Sequence, residues 1–242
     1  MNGDEVLKTL KWITIGVVLA MLTAAAVTGS LGDDSADNNK LEIKQTVLER
    51  TRTGLRDVPD NRGLLPVAED DLAQDTVSLT DTFTVTNGEN NPVTVEFSAN
   101  AAMYTAENVL DHIVVVTNTG NYKGYIRTWF AFEMGDLTED EFKASVLLNQ
   151  NFTDWSWDEF EYDVEIDGER YAVVCAGYEG ELEPGHTTEP NLLQVLLRSD
   201  ESSEIVQRLD GNNDGNYEIR AFSRAISDNE AWSSIHCPWN LE

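Results

Sequence analysis

One segment of the sequence has the residue types and spacing of a metal-binding loop. In DGNNDGN, residues 210–216, oxygen-bearing side chains fall at positions one, three, five and seven: Asp210, Asn212, Asp214 and Asn216. With glycine at position six, this is the spacing of the first half of an EF-hand calcium loop. Position twelve is Ala221, so the bidentate glutamate that completes such a loop is missing. The pattern predicts weak calcium binding, and the alternative is a plain Asn/Asp/Gly turn leading into a strand. No other cofactor is indicated.

No catalytic motif is recognisable in the sequence. The histidines at 112, 186 and 236 are isolated, and none belongs to the H-E-x-x-H helix of a zinc peptidase. There is no G-x-S-x-G nucleophile elbow. Cys175 and Cys237 lack the spacing of a zinc site. In an exported chain they could form a disulfide, and the alternative is two independent thiols. We therefore expect a protein that is not an enzyme.

The N-terminal segment 1–32 has the pattern of a targeting sequence. Trp12 to Gly32 contains no charged residue, with Lys8 and Lys11 before it and Asp33 and Asp34 after it. A basic flank, an apolar run and small residues are typical of a secretory signal peptide, which predicts a mature N-terminus between Ala26 and Asp33. The alternative is an uncleaved membrane helix, for which about 20 apolar residues suffice. By the positive-inside rule the rest of the chain lies outside in either case. We predict an extracellular or cell-surface protein.

Charge divides the remaining chain into an arm and a body. The formal net charge is −28, from 16 basic and 44 acidic residues, so the protein repels phosphates and nucleic acid is excluded as a partner. Five of the 16 basic residues lie between Lys40 and Arg56. Residues 33–74 are therefore interpreted as a basic arm and linker, and residues 75–242 as a β-sandwich domain.

Strand patterns dominate the body. Thr76 to Thr86 is rich in Thr and Val, and Asp167-Gly168 separates two apolar runs as in a β-hairpin. Other predicted strands include 204–209. Thr138-Glu139-Asp140-Glu141 is a capping box and predicts a helix, and a second short helix is predicted over 225–233. About eight short strands predict a mainly β protein, an antiparallel jelly-roll-like sandwich with one or two short helices.

Several stretches of the body, in order, resemble the TasA/camelysin family of exported bacterial proteins, which carry SipW-type signal peptides. These stretches are VVVTNTGNYKGYIRTW (114–129), YIRTWFAFE (125–133), NFTDWSW (151–157), LEPGHTTEPNLLQVLL (182–197) and YEIRAFSRAIS (217–227). The similarity extends from about residue 75 to residue 232. The resemblance implies a jelly-roll-like sandwich and a role as a surface or matrix fibre subunit, and some relatives are labelled metallopeptidases.

These observations give three functional hypotheses. The leading one is a structural subunit of an extracellular or cell-surface fibre, assembled through self-association by strand donation. The predicted donor is the arm, and the alternative is an arm that folds back onto its own sandwich or is disordered. The arm's apolar side chains are too few to fold alone but enough to fill a groove: Leu41, Ile43, Val47 and Leu48. The main alternative is a monomeric, membrane-anchored adhesion or ligand-binding domain, in contact with the membrane through the N-terminal segment. A peptidase is the weakest of the three.

Overall fold

The described part of the chain is mainly antiparallel β-structure, as the sequence predicts, and it contains two short helices. The computed structural model describes residues 40–51, 66–86, 90–106, 109–198, 203–211, 217–227 and 238–239. Its strands are β1 (Ile43–Thr51), β2 (Pro66–Val67), β3 (Gln74–Thr86), β4 (Pro92–Tyr104), β5 (Leu110–Asn118), β6 (Tyr125–Glu133), β7 (Val146–Gln150), β8 (Trp155–Trp157), β9 (Glu161–Ile166), β10 (Glu169–Tyr178), β11 (Leu192–Arg198) and β12 (Ile219–Ile226). The helices are α1 (Glu139–Ser145) and α2 (Ser203–Leu209), and a 3-10 turn covers Glu69–Asp71.

Two sheets form a sandwich. The first sheet has the order β1-β5-β11-β2, with β7 also paired to β11. The second sheet has the order β12-β6-β10-β8, with β9 also paired to β10. All of these pairs are antiparallel except β11 with β2. The described part of the basic arm and linker thus contributes β1 and β2 to the first sheet.

The main core lies between these two sheets. It combines Val114 and Val116 of β5 and Leu197 of β11 with Phe130 and Phe132 of β6, among others. Phe130 and Phe132 are two residues apart and so share one face of their strand; their ring centroids are 6.0 Å apart. The tryptophans of NFTDWSW extend this core. Trp155 is buried, and the ring of Trp157 stacks on Phe130 with centroids 5.6 Å apart.

A long hairpin covers the outer face of the first sheet. β3 and β4 pair in register from Gln74 with Tyr104 to Thr86 with Pro92, and form a separate two-stranded sheet. Their inward side chains pack on alternate residues of β5, Ile113 and Val115, and on Leu193 of β11. Strand β5 therefore has a covered face on both sides, which explains why it is a continuous apolar run rather than an alternating one.

Local sequence signals form the turns that they predict. The side chain of Thr138 accepts a hydrogen bond from the backbone N–H of Glu141, whose carboxylate accepts the N–H of Thr138, so the capping box is complete. Asp167 and Gly168 join β9 to β10 with φ values of 56° and 91°. Two consecutive residues with positive φ form the turn that suits the twist of a hairpin.

Two predicted elements are wrong. Residues 204–209, predicted as a strand, lie in helix α2. Ile205 and Leu209 are both buried, and their spacing of four places them on one face of a helix. The second helix was predicted over 225–233, but Ala225 and Ile226 complete β12 by pairing with Ile126 and Tyr125. Residues 228–233 lie outside the described part of the chain.

The predicted signal peptide or membrane anchor, residues 1–32, also lies outside the described residues. Within the part of the chain that the structure describes, no helix is both long and apolar enough to cross a membrane.

Candidate functional site

The predicted donor strand forms an edge of the sandwich. All nine residues of β1 pair antiparallel with β5 of the same chain, from Ile43 opposite Asn118 to Thr51 opposite Leu110. No other described strand pairs with the far side of β1. The arm therefore occupies the β5 edge in cis, and the backbone groups of β5 that face it are paired.

The four predicted donor side chains have different surroundings. Ile43 packs against the main core, whereas Leu48 packs under the β3–β4 hairpin. Leu41 is half-buried, and its two Cδ atoms lie close above Gly124, 2.7 and 2.8 Å from where a Cβ would stand. Val47 is 37% exposed. The arm thus contributes side chains to two apolar clusters, one on each face of the first sheet, because neighbouring residues of a strand point to opposite faces.

A fifth contact of the arm, that of Gln45, is not foreseen from the sequence. Its Nε2 donates to the carbonyl oxygen of Ala221 at 3.0 Å, and its Oε1 accepts the hydroxyl of Ser223 at 2.7 Å. Both partners belong to β12, so Gln45 links the edge of the first sheet to the edge of the second. A glutamine among apolar residues gives no sign of this role, because its partners lie about 176 positions further along the chain.

The turn that follows β5 holds the start of the arm. The N–H groups of Thr119 and Gly120 donate to the carbonyl of Glu42 at 2.9 and 3.2 Å, and that of Asn121 donates to Lys40 at 2.9 Å. A Cβ on Gly120 would lie 2.2 Å from the Lys40 carbonyl oxygen, so this close approach requires glycine. The backbone of Asn-Thr-Gly-Asn, residues 118–121, thus fixes the start of the arm by hydrogen bonds.

The predicted calcium loop begins beside a buried carboxylate. Asp210 is described, whereas Asn212, Asp214 and Asn216 lie outside the described residues. Glu133, at the end of β6, is 1% exposed, and its two oxygens accept the N–H groups of Gly211 at 2.8 Å and Glu218 at 3.0 Å. Burial raises the pKa of Glu133, while these two hydrogen bonds oppose the shift. Glu133 therefore ties together both ends of the loop.

Calcium binding by this loop stays a prediction. Within the described ranges, no group of three or more His, Cys, Asp or Glu side chains is placed to hold a metal ion. A melting temperature that millimolar calcium and chelator leave unchanged would indicate only a turn.

The histidines and the cysteine that the structure describes lie in different parts of the fold. His112 is buried in β5 and His186 lies exposed in the turn before β11, while His236 and Cys237 are outside the described residues. Cys175, in β10, packs with Trp129 and with Trp239. Pairing of the two cysteines thus stays a prediction.

Comparison of the chain with protein-family models, with curated proteins and with solved structures found no match.

Proposed function

We propose that this protein is a structural subunit of an extracellular or cell-surface fibre, in which β1 of one subunit occupies the β5 edge of the next. One observation carries the proposal. β1 is the first described strand, it lies at a sheet edge, and its ladder joins it to β5 alone. The same contacts can therefore be made by the β1 of a neighbour, which is the principle of strand exchange.

The contacts of β1 are large enough to hold a neighbour. A nine-residue ladder provides backbone hydrogen bonds, and Ile43 and Leu48 insert into separate apolar clusters. Backbone pairing at an edge with side-chain pockets for alternate residues is the mode called β-augmentation. Because the donor and acceptor surfaces differ, the contact is head-to-tail and extends into a filament.

Charge favours the same assembly. β1 carries two basic residues, Lys44 and Arg50, and one acidic residue, Glu49, whereas the whole chain has a net charge of −28. Two subunits repel each other over most of their surfaces, and the basic arm is the part that a neighbour's acidic body attracts most. The resemblance to the TasA/camelysin family, whose members include fibre subunits, supports the proposal from the sequence.

The test is removal of the arm from the exported protein. A variant that lacks residues 40–56 should form no filaments in electron micrographs and no species larger than a dimer by size-exclusion chromatography. A synthetic peptide of residues 40–51, added to the variant, should raise its melting temperature without restoring filaments. Equal polymerisation of the variant and the parent would refute strand donation.

A membrane-anchored monomeric binding domain is the second candidate. It is favoured by the complete pairing of β1 with β5 of its own chain, which leaves that edge closed. A full-length protein that stays monomeric at all salt concentrations and pH values, and that is recovered intact from membranes, would replace the fibre with this candidate.

A further inference from the structure

Strand β3 presents an open backbone edge. It pairs with β4 on one side, and no described strand pairs with the other. The direction in which the backbone N–H and C=O groups of β3 point follows from its partner β4. The N–H and C=O of Tyr104 in β4 bond to the side chain of Gln194 at 2.7 and 2.9 Å. The C=O of Ala102 accepts a hydrogen bond from Asn149 at 2.7 Å. These even-numbered residues of β4 therefore point away from β3.

The same alternation applies to β3. Thr76 lies opposite Ala102, and in an antiparallel pair opposed residues either both bond to each other or both point outward. The backbone groups of the even-numbered residues of β3 thus point to the open edge. Between the terminal residues Gln74 and Thr86 these are Thr76, Ser78, Thr80, Thr82 and Thr84. A bond from the N–H of Thr82 to the Oδ1 of its neighbour Asp81, at 2.7 Å, agrees with this direction.

The side chains at this edge are neutral hydroxyl groups. The five even-numbered residues from Thr76 to Thr84 are exposed and are Thr or Ser, and the exposed Gln74 and Thr86 at the two ends of the strand are uncharged as well. The charged residues of β3 are Asp75 and Asp81. A second copy of this chain, whose net charge is −28, therefore meets two carboxylates along this strand and not a continuous row of like charges. Unpaired strand edges of this length are sites of edge-to-edge pairing.

The sequence of β3 is complementary to itself when two copies run antiparallel. With a twofold axis at Thr80, the centre of the strand, Thr76 of one copy faces Thr84 of the other, and Ser78 faces Thr82. On the inward side, each half-buried Val77 faces Phe83 of the other copy. Hydroxyl pairs and aromatic–β-branched pairs are both favourable cross-strand neighbours.

We propose that β3 pairs with β3 of a second copy of this chain, to give a continuous four-stranded sheet β4-β3-β3-β4. The partner surface is the same patch on both copies, so this contact closes as a dimer and does not extend. It goes beyond the proposed function, because it would join two neighbouring fibres side by side, or two subunits where no fibre forms. Asp81 limits its strength, since its carboxylate must release the N–H of Thr82 and lie opposite Leu79 of the other copy.

Disulfide trapping in the full-length protein tests the register. In the proposed pairing the two Thr80 Cα atoms are about 5.5 Å apart, inside the range of about 4.4–6.8 Å that a disulfide spans. The two Thr76 positions are about 27 Å apart, since eight residues separate them along the strand. Under mild oxidation, Thr80→Cys should give a linked dimer several-fold more abundant than Thr76→Cys or the parent, with the 80–80 peptide identified by mass spectrometry. Equal yields from the two variants would overturn the proposal.

A pair of proline variants tests the edge without new chemistry. Thr80→Pro removes an N–H that faces outward from β3, so it breaks no bond to β4. Ser98→Pro is the matched control, since Ser98 lies directly opposite Thr80. The N–H of Ser98 faces the edge of β4 that is away from β3, where Ser98 lines a groove of about 380 Å³ together with residues 185–189. We expect self-association at least about tenfold weaker in Thr80→Pro and unchanged in Ser98→Pro, by sedimentation. Equal association of the two variants would also overturn the proposal.

This test is independent of strand donation. Removal of residues 40–56 should abolish filaments yet leave the Thr80→Cys cross-link, whereas Thr80→Pro should leave single filaments and abolish their lateral contacts.

Discussion

Single buried polar residues fix where the loops of this protein begin and end. Asn118 donates from Nδ2 to the carbonyls of Tyr122 and Leu182, each at 2.9 Å, and accepts the N–H of Gly120 at 3.0 Å. The carboxylate of Glu133 accepts the N–H groups of Gly211 and Glu218, which lie at the two ends of the loop between α2 and β12. Backbone N–H and C=O groups that the fold buries lose their hydrogen bonds to water, and each of these side chains provides hydrogen bonds in its place. This explains why a polar residue occupies a nearly inaccessible position.

The raised pKa of Glu133 predicts a pH-dependent effect on stability. The folded state holds its proton more tightly than the unfolded chain, so the stabilising contribution is full below the ordinary glutamate pKa of about 4.3. It is lost as the pH rises through the raised value. In Glu133→Gln this dependence disappears. The melting temperature of the parent relative to the variant should therefore fall as the pH rises from 4 toward neutrality, and parallel profiles would contradict the assignment.

The packing of Cys175 gives a second test at the residue scale. Trp239 packs against the cluster that contains Cys175 and Trp129, and Cys237 is two positions before Trp239 in the sequence. If the two cysteines pair, the exported protein should be lighter than its reduced form by two hydrogen atoms and should resist alkylation. Labelling of both thiols without reductant would show two independent cysteines.

At the scale of elements, a buried glutamine adds hydrogen bonds to the apolar contacts that hold the hairpin to the sandwich. Gln194 of β11 bonds to the backbone of Tyr104 and donates to the carboxylate of Asp111 at 2.6 Å. Asn149 of β7 donates to Gln194 at 3.0 Å and to the carbonyl of Ala102 at 2.7 Å. These bonds orient β4, and with it the open edge of β3.

Replacement of Gln194 by leucine should loosen the hairpin. The substitution keeps the volume but removes hydrogen bonds from Tyr104 and Asp111 in a buried site, which should cost about 2–4 kcal/mol in unfolding free energy. Gln207→Leu is the control, since Gln207 is exposed on α2. Denaturant unfolding measures the loss, and hydrogen exchange should show it first in β3 and β4. Equal stability of both variants would mean that the apolar contacts alone dock the hairpin.

At the scale of the whole molecule, the net charge of −28 opposes every contact between copies. The two proposed contacts respond differently to it. The basic arm attracts an acidic neighbour, whereas β3 has no basic residue, carries Asp75 and Asp81, and lies between two bodies that repel each other. Screening should therefore weaken the attraction at β1 and relieve the repulsion around β3.

Salt should strengthen the β3 contact. Between about 0.01 and 1 M salt the Debye length falls from about 30 to 3 Å, so the repulsion between two acidic bodies is largely removed. The disulfide-linked fraction of Thr80→Cys should rise several-fold over this range, in the full-length protein and in the variant without residues 40–56 alike. A yield that falls with salt would indicate that opposite charges, and not a neutral edge, bring the copies together.

The sequence by itself determined the features that depend on near neighbours. The capping box of α1, the Asp167-Gly168 hairpin and the mainly antiparallel β class follow from side chains a few residues apart. Residues 204–209 form a helix and not the predicted strand, because six residues of mixed polarity fit the period of a helix as well as that of a strand. The helix is favoured in the folded protein, where Ile205 and Leu209 are both buried.

Only the tertiary structure decided which distant segments meet. It gave β1 a place beside β5, paired Gln45 with β12, put Glu133 between the two ends of the 210–216 loop and left one edge of β3 without a partner among the described strands. The reason is physical: an antiparallel ladder or a buried hydrogen bond depends on partners more than 80 positions away for Gln194 and more than 170 for Gln45. The residues next to a polar residue in the sequence do not indicate such a distant partner. The sequence pattern around a polar residue in a strand is therefore the same whether its side chain faces water or links two sheets.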